Sequence, residues 1–144
     1  MTPDVNVLVA ASRDDHPHHA VAREWLETAV DEASAGGGLI LLPMVVASFL
    51  RLATNTKVFV SPTPTEDAVA FIDALLAMPG VRMPEVGGEW PRLRALCLSK
   101  KLRANSLPDA WIAAATQQLG EHLVTFDADF RKLLKRAEFT LLAV

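Results

Sequence analysis

Cys97 is the only cysteine in 144 residues, which excludes an intrachain disulfide, a cysteine-built zinc site and a dithiol redox centre. Long apolar runs are also missing. The longest nearly unbroken one, Leu39 to Leu50, is interrupted by Pro43 and Ser48 and is too short to span a bilayer. The chain does not open with the basic and then apolar segments of a secretory signal, and it carries no repeat or low-complexity tract. These absences predict a soluble, cytoplasmic protein in a reducing compartment, with no membrane partner. An excess of positive charge is lacking too: the net charge is −3 and the pI about 5.8, which weighs against a nucleic-acid partner because phosphate binding runs on Lys and Arg.

What is present fits one domain over residues 1–144, since 51% hydrophobic and 22% charged residues at this length suffice to bury a core. The charge is unevenly spread. Residues 1–99 hold 7 Lys and Arg against 12 Asp and Glu, a balance of −5, whereas residues 100–144 hold 7 against 5, a balance of +2. Three of those five late acids are Asp109, Asp127 and Asp129. If a cation neutralises them, the remaining surface, with Lys100, Lys101, Arg103, Arg131, Lys132, Lys135 and Arg136, is decidedly basic. A solvated helix face and a nucleic-acid-facing surface share this composition, and both readings stand at this point.

Apolar periodicity alternates between helical stripes and short continuous runs. Ala20, Ala22, Trp25, Leu26 and Ala29 predict a helix that stops by the Gly36-Gly37-Gly38 breaker. Leu39 to Leu42 predicts a buried strand, and Pro43, suited to a first helical turn, opens a helix carrying Val45, Val46, Phe49, Leu50 and Ala53 to Asn55. Thr63-Pro64-Thr65-Glu66 has the pattern of a capping box ahead of a helix with Val69, Ile72, Leu75 and Leu76, ended by Pro79-Gly80. Val81 to Met83 predicts a strand, Glu89 to Leu102 a helix, and Ser106 as N-cap a further helix through Trp111, Ile112, Ala115 and Leu119 to Gly120. His122 to Phe126 and Phe139 to Leu142 predict closing strands, with a short helix around Phe130 to Leu134 between them. Strands alternating with helices predict an α/β protein, its parallel sheet covered by helices on both faces. Periodicity alone makes Val5 to Ala11 a strand as well.

Four aspartates stand out: Asp4, Asp109, Asp127 and Asp129, three of them where an apolar segment meets a turn or helix start. A carboxylate there costs stability unless it is hydrogen-bonded or holds a cation, and ligands of parallel sheets gather at the carboxyl ends of strands. Asp127 directly follows a predicted strand. Asp109 lies in a first helical turn, where the dipole favours negative charge. Each acid alone is explained as well by a cap or turn role; together they point to a divalent-metal pocket. Ser48, Arg51 and Asn55 form one polar stripe on an otherwise apolar helix, either solvent-facing or the wall of a pocket with Arg51 reaching a phosphate or a carboxylate. His16, His18 and His19 have no partner at zinc spacing and read as helix-start surface. Trp25, Trp90 and Trp111 read as core or interface, with base stacking the other use.

Four motifs in order, Asp4-Val5-Asn6-Val7-Leu8, Phe49-Leu50-Arg51-Leu52-Ala53-Thr54-Asn55, Pro108-Asp109-Ala110 with its Ala-rich helix, and Val124-Thr125-Phe126-Asp127-Ala128-Asp129-Phe130, resemble PIN-domain ribonucleases. More narrowly, they resemble the VapC-type toxins of toxin–antitoxin pairs, over essentially the whole chain. The resemblance implies a PIN-like three-layer fold, a short parallel β-sheet flanked by helices on both faces. It places a strand in Met1-Thr2-Pro3 and a helix after Asp4. It further implies a Mg²⁺- or Mn²⁺-dependent endoribonuclease, homodimeric and silenced by a cognate VapB-type antitoxin that inserts a peptide into the acidic pocket.

Residue by residue, Asp4, Asp109 and Asp127 match the family's metal-site acids, Asp129 a second, less regular acid beside them, and Asn6 and Thr125 the polar residues that orient the carboxylates. The chain departs from the family at Ser48, where a glutamate normally precedes Leu-x-Arg. A hydroxyl is a much poorer Mg²⁺ ligand than a carboxylate, so a single metal is expected. The expected chemistry is metal-assisted phosphodiester hydrolysis, with Asp129 as ligand or proton acceptor and with Arg51, Lys100, Lys101, Arg103 and Arg131 along the RNA. The competing expectation, resting on Ser48, is a PIN-like module that binds antitoxin or RNA with weak or no cleavage; deoxyribonuclease activity is a further one.

Overall fold

A computed structural model describes residues 1–144. Five short strands, β1 (Thr2–Pro3), β2 (Leu39–Ile40), β3 (Val81–Arg82), β4 (Leu123–Thr125) and β5 (Phe139–Leu141), pair in parallel. One ladder runs β1-β4-β5 and the other β2-β3. They meet where the Ile40 amide donates to Met1 O at 3.0 Å and the buried Thr2 hydroxyl donates to Ile40 O at 2.7 Å. Six helices accompany them: α1 (Val5–Ser12), α2 (His19–Ser34), α3 (Pro43–Ala53), α4 (Thr65–Leu76), α5 (Trp90–Lys100) and α6 (Ser106–Gln118). The strands are shorter than the apolar runs predict. After Ile40 the chain already turns into α3, with Leu42 as N-cap and Pro43 in the first turn.

The first twelve residues settle the conflict between periodicity and resemblance: Val5–Ser12 is a helix and only Thr2–Pro3 is strand. Alternating valines misread as a strand because α1 is buried almost all round, with Val7, Leu8 and Ala10 fully enclosed, so no polar face imposes a helical period. Pro3 is tolerated next to β4 because the amides of Thr2 and Asp4 carry that ladder, each at 2.9 Å to the carbonyls of His122 and Val124. The core joins α1, α2, α3, β2 and β4, with Phe49, Phe130 and the run Leu39 to Leu42 at its centre.

Two capping expectations fail. The capping box before α4 does not form: Pro64 is the N-cap with no side-chain bond, and the Thr63 hydroxyl instead accepts from Arg13 at 3.0 Å. Asn105, not Ser106, occupies the N-cap of α6, again without a side-chain bond. The segment after β4 is a 3₁₀ helix, Ala128–Lys132. Ala20, predicted inside, is exposed, and the buried face of α2 runs Ala22, Leu26, Ala29, Ala33. α5 packs on α6 yet buries none of its residues, leaving Trp90 and Leu98 at 60% and 63% exposure.

Candidate active site

Asp4 stands where β1 becomes α1, and that junction fixes its carboxylate. One oxygen caps the helix, accepting from the Val5 amide at 2.7 Å, and the other accepts from the Thr125 hydroxyl at 2.7 Å. Thr125 ends β4, the neighbour of β1, and its Oγ1 also accepts from the Asp127 amide at 2.9 Å and from Asn6 Nδ2 at 3.4 Å. Asn6 in turn accepts from the Phe126 amide at 3.3 Å. This buried network ties the first acid to the third across two strands. Asp127 caps the following 3₁₀ helix by accepting from the Asp129 amide at 2.9 Å, so the cap role foreseen for it coexists with its place in the cleft.

Asp4, Asp109 and Asp127, drawn from the two ends of the chain and the start of α6, line one cleft of about 430 Å³, together with Asn6, Ser48 and Arg51. Burial raises the proton affinity of Asp4, its bonds from Thr125 and Val5 oppose that, and the charge of Asp127 adds to it. Asp109 is pushed up to about 6, first by burial and then by the charges of Asp4, Asp127 and Asp129. No hydrogen bond counters those influences, which makes Asp109 the strained member of the group.

The remaining sequence-predicted residues divide. Asp129 is outside the lining of the cleft, its side chain 75% exposed and 3.7 Å from Lys132 Nζ, although its charge still acts on Asp109. Lys100 and Lys101 end α5 and Arg103 follows, all exposed and outside the lining of the cleft. Arg131 borders a separate depression with Arg136 and Phe139. Asn55 turns away from the stripe it was predicted to share with Ser48 and Arg51, and accepts from the Lys57 amide at 2.8 Å to shape the next loop.

Two features of the cleft were not foreseen. His16 borders the acids, whereas its neighbours act structurally: His18 lies 4.9 Å from the Phe126 ring, and His19 Nδ1 pairs with Ala10 O at 2.9 Å. Burial lowers the proton affinity of His16, and nearby His18 adds to the effect. Val58 and Phe59, from the apolar Val58-Phe59-Val60 run of the loop after α3, form an apolar wall. No three His, Cys, Asp or Glu side chains stand ready as a closed ligand cage. The three carboxylates offer hard oxygens around shared space, the kind of donor Mg²⁺ takes one or two of while keeping several waters. The residues therefore fit a hydrated divalent cation.

A second, larger and apolar groove of about 840 Å³ runs between α3, α5 and α6, walled by Met44, Trp90, Leu93, Cys97 and Trp111. Ser48, Pro108 and Ile112 border both spaces, so the groove adjoins the acidic cleft.

The family profile of the PIN domain matches residues 1–135, and the chain belongs to the PIN-domain family. Among individual proteins it is similar to Ribonuclease VapC31 of Mycobacterium tuberculosis, 40% identical over 136 residues covering 90% of this chain and 89% of the relative. Ribonuclease VapC25 of the same organism is 39% identical over 134 residues, with the same coverage. The crystal structure of VapBC2 from Rickettsia felis bound to a DNA fragment from their promoter superposes with a TM-score of 0.66, covering 99% of this chain and 98% of that one. At 16% identity that likeness is one of fold. No helix is long and apolar enough to cross a membrane.

Proposed function

We propose that the chain is the RNA-cleaving toxin of a VapBC-type toxin–antitoxin pair and that it hydrolyses phosphodiester bonds with one divalent cation, Mg²⁺ or Mn²⁺. The observation carrying this reading is the meeting of Asp4, Asp109 and Asp127 in one cleft with the proton affinities of Asp4 and Asp109 raised. Relatives named as ribonucleases at 39–40% identity support the RNA class. A bound cation would lower the pKa of an attacking water and offset the negative charge that builds at phosphorus. Asp4 offers oxygens oriented by the Thr125 hydroxyl and the Val5 amide, Asp127 one oriented by the Asp129 amide, Asp109 adds a carboxylate that protons and cations compete for, and Asp129 accepts a proton from outside the lining. Arg51 contacts the phosphate, and Lys100, Lys101, Arg103 and Arg131 draw in the backbone.

The apolar groove is read as the seat of a VapB-type antitoxin helix, whose extension past Ser48 would reach the acids and silence them. A second copy of the chain would cover the rest of α5, giving a homodimer; light scattering that finds only monomer at micromolar concentration removes that part of the reading. Ser48 supports a second reading, a binding module with weak or no cleavage, because the wall of the cleft there lacks a carboxylate. Induction in a bacterial host separates the two. The toxin arrests growth and Asp4→Asn does not, whereas a binding module leaves growth unchanged in both.

A further inference from the structure

Arg13, at the end of α1, is 8% exposed, and its guanidinium makes four hydrogen bonds. Nε and Nη2 donate to the two Asp15 oxygens at 3.0 and 2.8 Å, Nη1 donates to Thr63 Oγ1 at 3.0 Å, and Nη2 donates to Ser61 O at 2.7 Å. The same group lies 3.8 Å from the centroid of the Phe59 ring. These contacts pin the second half of the loop between α3 and α4, from Phe59 to Thr63. Within it the Phe59 amide bonds Asn55 O at 3.0 Å, and the Thr63 amide bonds Ala53 O at 2.8 Å. Val58, half exposed, and Phe59 thereby hold a fixed apolar wall in the cleft that contains Asp4, Asp109 and Asp127. An apolar surface of this kind beside a cluster of acids offers no oxygen ligand to a metal ion and no donor to a phosphate, and the Phe59 ring already carries the Arg13 guanidinium on one side. It suits the flat, apolar face of a nucleobase, which single-strand binding proteins stack on such side chains.

We propose that Phe59, with Val58, receives the nucleobase adjoining the scissile phosphate, and that Arg13 is the positioning residue that fixes this wall. The proposal rests on the reading of the acidic cleft as a ribonuclease site and adds the feature that selects how RNA lies in it. Buried, and with four hydrogen bonds made within the protein, Arg13 acts through Phe59 and not on the RNA itself.

The test pairs protein variants with substrate variants. Wild type, Phe59→Leu, Phe59→Trp and Arg13→Lys are assayed with Mn²⁺ on an RNA oligonucleotide and on versions abasic at the nucleotide on either side of the cleaved bond. Base stacking of this kind predicts that Phe59→Leu lowers kcat/KM roughly 5- to 100-fold on the intact RNA. The loss falls mainly in KM and vanishes on one of the abasic substrates, while Phe59→Trp retains activity. Arg13→Lys, which keeps the charge and loses the fork, shows a smaller loss that vanishes on the same substrate. Equal losses on intact and both abasic RNAs overturn the proposal, since a merely destabilised fold loses activity on all of them. Binding of RNA carrying 2-aminopurine at that position gives a readout independent of cleavage. Quenching by wild type and its loss in Phe59→Leu support the stacking even if no RNA is cut, in which case the nuclease reading alone fails; absence of quenching by wild type overturns it.

Discussion

Replacing Asp109 by asparagine should stabilise the metal-free protein, an unusual outcome for an acid in the first turn of a helix. Asp109 titrates near 6 against an ordinary value of 3.8. Below 3.8 both folded and unfolded chains hold its proton, and between 3.8 and about 6 the folded chain holds more. Stability therefore falls as pH rises through that window and stays low above it. At 1.36 kcal/mol per pH unit the full displacement is about 3 kcal/mol, and screening of a partly exposed group reduces it to about 1–2 kcal/mol. Asparagine also gives up roughly 0.5 kcal/mol of attraction to the α6 dipole, which leaves a net gain of about 1 kcal/mol. In a domain of this size that raises Tm by about 3 °C at pH 7.5, and by much less at pH 4.5, where the carboxyl is mostly protonated in the fold. Saturating Mn²⁺ reverses the order, because wild type gains about 2.7 kcal/mol at a hundredfold excess over Kd and the variant loses most of that gain. Melting curves at both pH values, with and without Mn²⁺, check all four corners. A fall in Tm for Asp109→Asn in EDTA at pH 7.5, or equal stabilisation of both proteins by Mn²⁺, refutes the reasoning.

Thr125→Val deletes the donor to Asp4 and the acceptor for the Asp127 and Asn6 amides; denaturant melts should show a loss of about 1–3 kcal/mol, and calorimetry a weaker Mn²⁺ affinity. Ser48→Glu adds a hard ligand and a like charge to the cleft, so it should lower Tm in EDTA, tighten Mn²⁺ binding and let cleavage proceed at lower metal, and unchanged metal affinity would place this side chain outside the coordination sphere. Charge reversal at Lys100, Lys101 and Arg103 should weaken RNA binding across sequences and flatten its salt dependence by roughly one logarithmic slope unit for each phosphate no longer neutralised, read by anisotropy at several salt concentrations.

The parts of this fold that were legible in the sequence are those whose signal is local or repeated. The β2 run ending at Pro43, the stripes of α3 and α4, and the acid following β4 all announce themselves by period or punctuation. α1 was not legible from period, because complete burial erases the polar face that marks a helix, and only the Asp4 motif as a whole pointed to it. The box before α4 failed because a tertiary partner, Arg13, took the Thr63 hydroxyl that local pattern assigned to the helix start. The same long-range bonds build the Phe59 wall, so neither Arg13 nor Phe59 could be found by spacing. His16 reaches the cleft while His18 and His19 serve the fold, a division that adjacent identical residues do not reveal. The acids were the readable part of the candidate site, since charge at element ends is conspicuous; its apolar wall depended on where a loop folds back.

The most direct test of the central claim is cleavage of single-stranded RNA by the purified chain, freed of any antitoxin and titrated with Mn²⁺, beside Asp4→Asn purified identically. The account predicts metal-dependent scission by the wild-type chain, abolished by EDTA and reduced at least a hundredfold in Asp4→Asn. Scission that persists in EDTA, or at equal rate in the variant, contradicts it, as does the absence of any cleavage at saturating Mn²⁺ with the acids intact.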